Sequence, residues 1–271
     1  MWGVLPWRQV FTPSNLRWGL GAHDICYRHL PLGHFFFAGQ TLPTHRLRHS
    51  PLGGLFQPTL SEAVRLLSAG PYAVLPTYTT TGSDAWPAPS AHHRLAWVHV
   101  FPEGAVHQPP AGAGYGLRYF RWGAARLLLE ADPAPDVVPI FVEGTDRVMS
   151  EDRLWPRWLP RRAPLRLTFG AVLDSDAVFG DLRSRWRELV AAAGPTGMPG
   201  DLPETLRRGA EVDALRAEAA RRLREEVLRL RRARGYADQD PALGRAEKWA
   251  ADRPGRKGQR SEVDGSIVSQ D

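Results

Sequence analysis

The chain has 271 residues, 43% of them hydrophobic and 24% charged, close to the averages of a globular domain, which excludes a wholly disordered, collagen-like or polytopic membrane protein. A single cysteine excludes an internal disulfide framework and any multi-cysteine zinc or iron–sulfur site. The net charge is +6 and the pI about 10.0, and Lys248 and Lys257 are the only lysines among 35 basic residues. That bias fits a GC-rich coding sequence or an anionic partner held by arginine forks, and composition does not choose between them.

The chain opens Met1-Trp2-Gly3-Val4-Leu5-Pro6-Trp7-Arg8, without the basic leader of a signal or transit peptide. No uncharged run reaches the ~20 residues that span a bilayer. Trp2, Trp7 and Trp18, interleaved with Arg8 and Arg17, suit a core or a membrane interface equally. Phe35 to Leu42 reads as a strand, or as a short buried helix running into one. Thr59-Leu60-Ser61-Glu62 matches a capping box ahead of a helix that stops before Gly70. Residues 71–94 show no hydrophobic period and read as an inserted loop.

Ala96 to Phe101 reads as a strand stopped by Pro102. Apolar residues from Leu117 to Ala131 form a helical stripe, with Arg118 and Arg121 on its wet face. Asp136 to Val142 follows as a buried strand with Pro139 at a bulge or edge, and Leu165 to Gly170 as another. Alternating helices and short strands predict an α/β fold with a mostly parallel sheet flanked by helices. A C-terminal amphipathic helix is expected over 203–235, supported by the pairs Glu218/Arg222 and Glu225/Arg229, and a disordered tail over 238–271.

Several chemistries are missing. The sequence has no Walker A loop, no dinucleotide glycine fingerprint, no Gly-x-Ser-x-Gly elbow and no His-Glu-x-x-His, so no cofactor and no metal are expected. Nucleic-acid binding is disfavoured because Arg and Glu alternate in the last helix instead of forming a stripe of one sign. His23-Asp24 are sequence neighbours, which need not face each other, and His99 reads as a hydrogen-bonded core residue. The informative cluster is Phe101-Pro102-Glu103-Gly104 at a strand end. A carboxylate beside a glycine at the carboxyl edge of a parallel sheet stands where ligands bind in such folds.

Three further blocks accompany it: Gly39-Gln40-Thr41-Leu42-Pro43-Thr44-His45-Arg46, Leu117-Arg118-Tyr119-Phe120-Arg121-Trp122-Gly123, and Val137-Val138-Pro139-Ile140. In this order they resemble the second, third and fourth blocks of the glycerolipid acyltransferases. The runs Met1–Arg8, Ala22-His23-Asp24-Ile25-Cys26 and Trp97–Gly104 narrow the resemblance to members that exchange acyl chains between phospholipids and lysophospholipids. It covers residues 1 to about 190, so an acyltransferase-like domain is expected over 1–193.

The resemblance implies a CoA-independent transacylase that remodels cardiolipin, sits peripherally on mitochondrial membranes and touches them through Trp2, Trp7 and Trp18. Arg46 would pair with a lipid phosphate, and Glu103 and Gly104 would shape the acceptor site, supported by Phe101, Pro102 and Pro139. The family's histidine and aspartate, separated by four residues, form its catalytic dyad. No histidine here has an aspartate five positions later, so no catalytic residue is assigned. The chain is expected to be an amino-terminally truncated, inactive form. The alternative is a phospholipid-binding or scaffold relative that transfers nothing.

Overall fold

The computed structural model describes residues 6–10, 16–47, 49–68, 96–110, 113–150, 159–194, 200–250, 252 and 260–269. The 71–94 insert and Trp2 lie outside them. In chain order the first elements are α1 (Trp7–Val10), β1 (Trp18–Ala22), α2 (His23–Cys26), α3 (Leu30–Ala38), β2 (Thr41–Thr44), α4 (Pro58–Leu67), β3 (Val98–His99) and β4 (Val106–Gln108). Then follow α5 (Trp122–Glu130), β5 (Ile140–Glu143), α6 (Thr145–Val148), β6 (Arg166–Phe169), α7 (Ser175–Ala193), α8 (Glu204–Arg207), α9 (Ala210–Ala233) and β7 (Ile267–Ser269). They form two compact units. The first holds residues 1–101, 122–135 and 179–217, the second 102–121, 136–178 and 218–271.

The first unit is built on a parallel sheet of order β2-β1-β3. Gly19 pairs with Thr41 on one side and with His99 on the other. Parallel neighbours need a crossover, and α2 with α3 supplies the one between β1 and β2. Gly21 allows α2 to start this close to the sheet: a Cβ there would come within 2.6 Å of Thr41 Cγ2 and 3.0 Å of Cys26 Sγ. The core gathers Trp18 and Leu42 from the sheet, Leu60, Ala63, Val64 and Leu66 from α4, and Leu127 from α5 with Ala131 just beyond its end. Trp18, 5% exposed, is therefore a core residue and not a membrane contact, whereas Trp7 is 76% exposed.

α4 begins two residues earlier than the capping box implies, at Pro58, whose ring suits a first helical turn. The Thr59 hydroxyl donates to the Pro43 carbonyl, so it ties α4 to β2 and does not cap. Buried arginines hold this unit together. Arg126 donates bidentately to Glu130 at 2.6 Å and also to the carbonyls of Leu55 and Gly200. Arg183 of α7 donates to the carbonyls of Leu128 and Ala131, which satisfies the open end of α5. Arg65 pairs with Glu62 and Asp201.

In the second unit the two strands expected around Pro139 and Leu167 are β5 and β6, and they pair antiparallel, Ile140 opposite Phe169. The helical stripe begins at Trp122, not Leu117. The residues before it stay extended because side chains take their backbone groups: Gln239 accepts from the Leu117 N–H and Glu103 from the Arg118 N–H. Leu117 packs with Phe141 and Leu228.

The C-terminal helix divides into α8 and α9. Of its expected pairs Glu218–Arg222 forms, at 2.8 Å, while Arg229 pairs with Glu226 and Arg232 with Glu225. Its second half is more than a solvated face. Arg224 donates to the carbonyls of Leu117 and Arg118, and Arg231 to that of Tyr115. The segment expected to be a disordered tail contributes structure where it is described. Residues 241–249 form two short 3-10 turns, Trp249 is buried, and β7 pairs antiparallel with β4. Among the described residues no helix is long and apolar enough to cross a membrane.

Candidate functional site

In the first unit the parallel strands β1 and β2 end side by side, Ala22 opposite Thr44, and the next residues of each carry the polar groups. His23 and Asp24 follow β1; His45 and Arg46 follow β2. The Arg46 guanidinium grips Asp24 with both arms, Nε to Oδ1 at 2.9 Å and a terminal nitrogen to Oδ2. These hydrogen bonds hold the Asp24 carboxyl below the usual carboxylate range, against a smaller opposing effect of burial. His49 Nε2 stands 4.0 Å from Asp24 Oδ2. His23 does not pair with Asp24; its ring stacks on His45 at 4.4 Å and on Tyr27 at 5.8 Å. Gln57 fixes the His45 backbone by accepting from its N–H and donating to its carbonyl. The result is an arginine–carboxylate pair, partly open to solvent, at the carboxyl edge of the sheet.

β3 contributes His99, whose Nδ1 lies 3.2 Å from a terminal nitrogen of Arg17. Burial, with the Arg17 charge adding to it, pulls the His99 imidazole down to about 4. A neutral ring accepting from arginine is a structural role, as the sequence suggested. Phe101 meets the same ring edge-on at 4.5 Å and is itself exposed.

The second unit carries Pro102, Glu103 and Gly104 in one tight turn. The Pro102 carbonyl accepts from the Arg121 N–H at 2.7 Å, and Arg121 Nε donates to the Glu103 carbonyl at 3.2 Å. Gly104 has φ +66°, and a Cβ there would collide with the Arg121 side chain. Only glycine meets both conditions. The Glu103 side chain is 19% exposed. Its Oε2 accepts from the Arg118 N–H at 2.9 Å and lies 3.4 Å from His107 Nδ1. Burial pushes the Glu103 carboxyl up, while His107, the Arg118 N–H and the charges of Arg118 and Arg224 pull it back.

Arg118 is not on a wet helix face. It is buried over the Trp249 ring at 4.0 Å and bonded to Asp252 and Ser266. Pro139 is buried against Gly170, where a Cβ would come within 2.7 Å of its Cγ. It packs the β5–β6 pair.

Thus Glu103, Gly104, Arg118 and Arg121 come together in one unit, and Arg46 with Asp24 in the other. Sequence reasoning missed Asp24 as the partner of Arg46 and His107 as the partner of Glu103. The first has a sequence signal in hindsight, two charged residues at equivalent positions after strands that pair in register; the second has none. No group of histidine, cysteine and carboxylate side chains that could hold a metal occurs among the described residues.

A parallel sheet flanked by helices, with a Phe-Pro-Glu-Gly turn following its third strand, defines an α/β protein of the acyltransferase class. No family model matches the chain. It is 34% identical over 262 residues to the tafazzin of Saccharomyces cerevisiae, covering 92% of this chain and 67% of that protein. It is 26% identical to the tafazzin of Drosophila melanogaster, over 86% of this chain and 48% of that protein. An N-acylphosphatidylethanolamine synthase of Arabidopsis thaliana is 28% identical over 56% of this chain and 42% of its own length. The chain belongs to the tafazzin family. It spans two thirds of the yeast relative's length and about half or less of the other two.

Proposed function

We propose that this protein takes part in acyl transfer between phospholipids and lysophospholipids, cardiolipin among them, at the surface of mitochondrial membranes. The observation that carries the reading is the Glu103 carboxylate. One oxygen is anchored by protein, and the other, Oε1, accepts no hydrogen bond among the described residues. A carboxylate held this way suits a lipid hydroxyl. Arg46 supplies the fork for a phosphate, which would share it with Asp24.

In such a transfer a base takes the proton of the acceptor hydroxyl. The oxygen then bonds to the acyl carbonyl carbon, the donor ester C–O bond breaks, and the proton passes to the departing oxygen. A positioned base contributes about 10²–10⁴-fold in rate. The 271 residues hold no histidine with an aspartate five positions later, so the purified chain is expected to bind lysophospholipid without turnover. That same absence favours a second reading, a phospholipid-binding relative with no transfer activity.

The test is a titration with lysophosphatidylcholine below its micelle concentration, together with an assay of labelled acyl transfer to cardiolipin. The assay compares this chain with one extended by the coding sequence upstream of its first codon. Saturable binding, with turnover in the extended chain only, supports the enzyme; binding without turnover in both supports the second reading. Absence of binding sinks both.

Membrane contact belongs to the same proposal, through the exposed Trp7 and through a further apolar patch. A crossover helix ordinarily shows its polar side to water, yet α3, Leu30-Pro31-Leu32-Gly33-His34-Phe35-Phe36-Phe37-Ala38, carries no acidic or basic residue other than its histidine. Phe35 is 70% exposed, and Leu30 and Leu32 are exposed too. Ile25 of the adjoining α2 is exposed beside them in sequence, and Arg28 leads into the helix. Exposed aliphatic and aromatic side chains next to an arginine suit a layer of acyl chains under phosphates.

A further inference from the structure

We infer that His107 is the positioning residue of the acceptor site, sharing one proton with Glu103 so that Glu103 Oε1 is left to the ligand. The argument begins with the far side of the ring. His107 Nε2 lies 3.2 Å from the Gly116 carbonyl oxygen. A carbonyl only accepts, so Nε2 carries a hydrogen. The near side, Nδ1, faces Glu103 Oε2 at 3.4 Å. In a neutral ring with its hydrogen on Nε2, Nδ1 is a bare acceptor, and an ionised carboxylate is acceptor-only. Two lone pairs would then oppose each other inside a site where the ring is only 10% exposed. A proton between them removes the conflict, whether it resides on the imidazole or on the carboxyl.

The surroundings favour one shared proton over an isolated ion. The Arg118 N–H already occupies a second position on Oε2, and the charges of Arg118 and Arg224 stabilise the carboxylate. The Arg118 guanidinium is itself committed to Asp252 and Ser266, with Asp264 3.7 Å away. Arg121 reaches the Glu103 backbone carbonyl, not its side chain. His107 is fixed from behind by its place in β4, opposite Val268 of β7. Oε2 thus accepts from the Arg118 N–H and faces His107 Nδ1, while Oε1 accepts no hydrogen bond among the described residues.

The inference rests on the acyl-acceptor reading for its functional half only. Nuclear magnetic resonance on the full chain, with histidine nitrogens and glutamate carboxyl carbons labelled, tests the pair. The expected result is an Nε2 that stays protonated across the pH range, and one common inflection at His107 Nδ1 and at the Glu103 carboxyl carbon. Glu103→Gln abolishes that common inflection. Binding of lysophosphatidylcholine tests positioning: His107→Leu weakens it about tenfold, and His107→Gln, whose amide can donate to Oε2, restores most of it. Separate inflections, a bare Nε2, or equal affinity of the leucine and glutamine variants would overturn the inference. A common inflection in a wild-type chain that binds no lysophospholipid would instead overturn the acyl-acceptor reading and leave the proton-sharing pair standing.

Discussion

Single side chains divide into those that hold the fold and those left open to a ligand, and two arginines show the difference. Arg46 keeps its guanidinium partly exposed on Asp24, whereas Arg118, from an equally suggestive block, is enclosed by Trp249, Asp252 and Ser266. Arg46→Ala is expected to weaken lysophosphatidylcholine binding by roughly 10–100-fold, the loss of a charge-assisted hydrogen bond worth about 1.5–3 kcal/mol. Arg121→Ala should change it less than threefold, on the order of a surface contact. Equal losses in a calorimetric titration would remove Arg46 as a phosphate contact.

His99 gives a prediction about pH. Its imidazole ordinarily titrates near 6.5 and in the folded chain near 4. Above 6.5 the ring is neutral whether folded or unfolded, and its contribution to stability is fully present. Between these values the unfolded chain takes up a proton that the folded chain refuses, so stability falls as pH falls, and below 4 the loss is complete. After allowance for solvent screening the loss is about 2 kcal/mol. The urea midpoint of the wild type should therefore drop more between about pH 7.5 and about pH 4.5 than that of His99→Gln, which keeps an acceptor for Arg17 but does not titrate. Parallel drops would show that His99 is not buried as described.

At the level of elements, α5 shows why buried charge does not mark a functional site by itself. Arg126 and Glu130 lie one turn apart and are both enclosed. Burial raises the Glu130 carboxyl, with Arg126 opposing. Removing one partner strands the other in a medium of low dielectric constant, so Arg126→Met is expected to cost about 3–5 kcal/mol. The double variant Arg126→Met, Glu130→Leu should recover most of that. Thermal denaturation of the four proteins of the cycle measures it, and a single variant no less stable than wild type would contradict the burial.

The elements also show where reading by pattern fails. Spacing of apolar residues extends α5 back to Leu117, because Leu117 and Phe120 are as buried as the helix stripe. Burial is what periodicity reports. It is silent on whether backbone groups bond within the segment or, as with Leu117 and Arg118, to Gln239 and Glu103 from afar. The same limit hid the antiparallel pairing of β5 with β6, since a short apolar run reads alike in either direction.

Across the whole molecule, the proposed membrane docking would draw on composition and fold together, through a net charge of +6 and an exposed apolar α3. Wild-type protein is expected to float with vesicles containing anionic lipid, less so as salt rises beyond about 0.15 M. A folded Leu32→Ser, Phe35→Ser variant should lose most of that binding, because each inserted side chain is worth about 1.5–3 kcal/mol. Trp18→Phe, in the core, should float like wild type. Flotation unaffected by the α3 substitutions would move the membrane contact elsewhere.

The sequence alone determined the class of this protein: the order of the Gly-Gln-Thr, Phe-Pro-Glu-Gly and Val-Pro-Ile blocks, the alternation of helix and strand, and the absence of a His-x-x-x-x-Asp pair are all linear facts. Local rules govern them, through turn residues, hydrophobic period and the φ that Gly104 must adopt. Tertiary structure decided which polar groups are already engaged. Only folding puts Trp18 inside, sets Asp24 on Arg46 across two parallel strands, buries Arg118 under Trp249, and turns His107 toward Glu103. Those outcomes depend on contacts between residues far apart in the chain, and a side chain's type fixes what it can bond but not which partner the fold will bring within 3 Å of it.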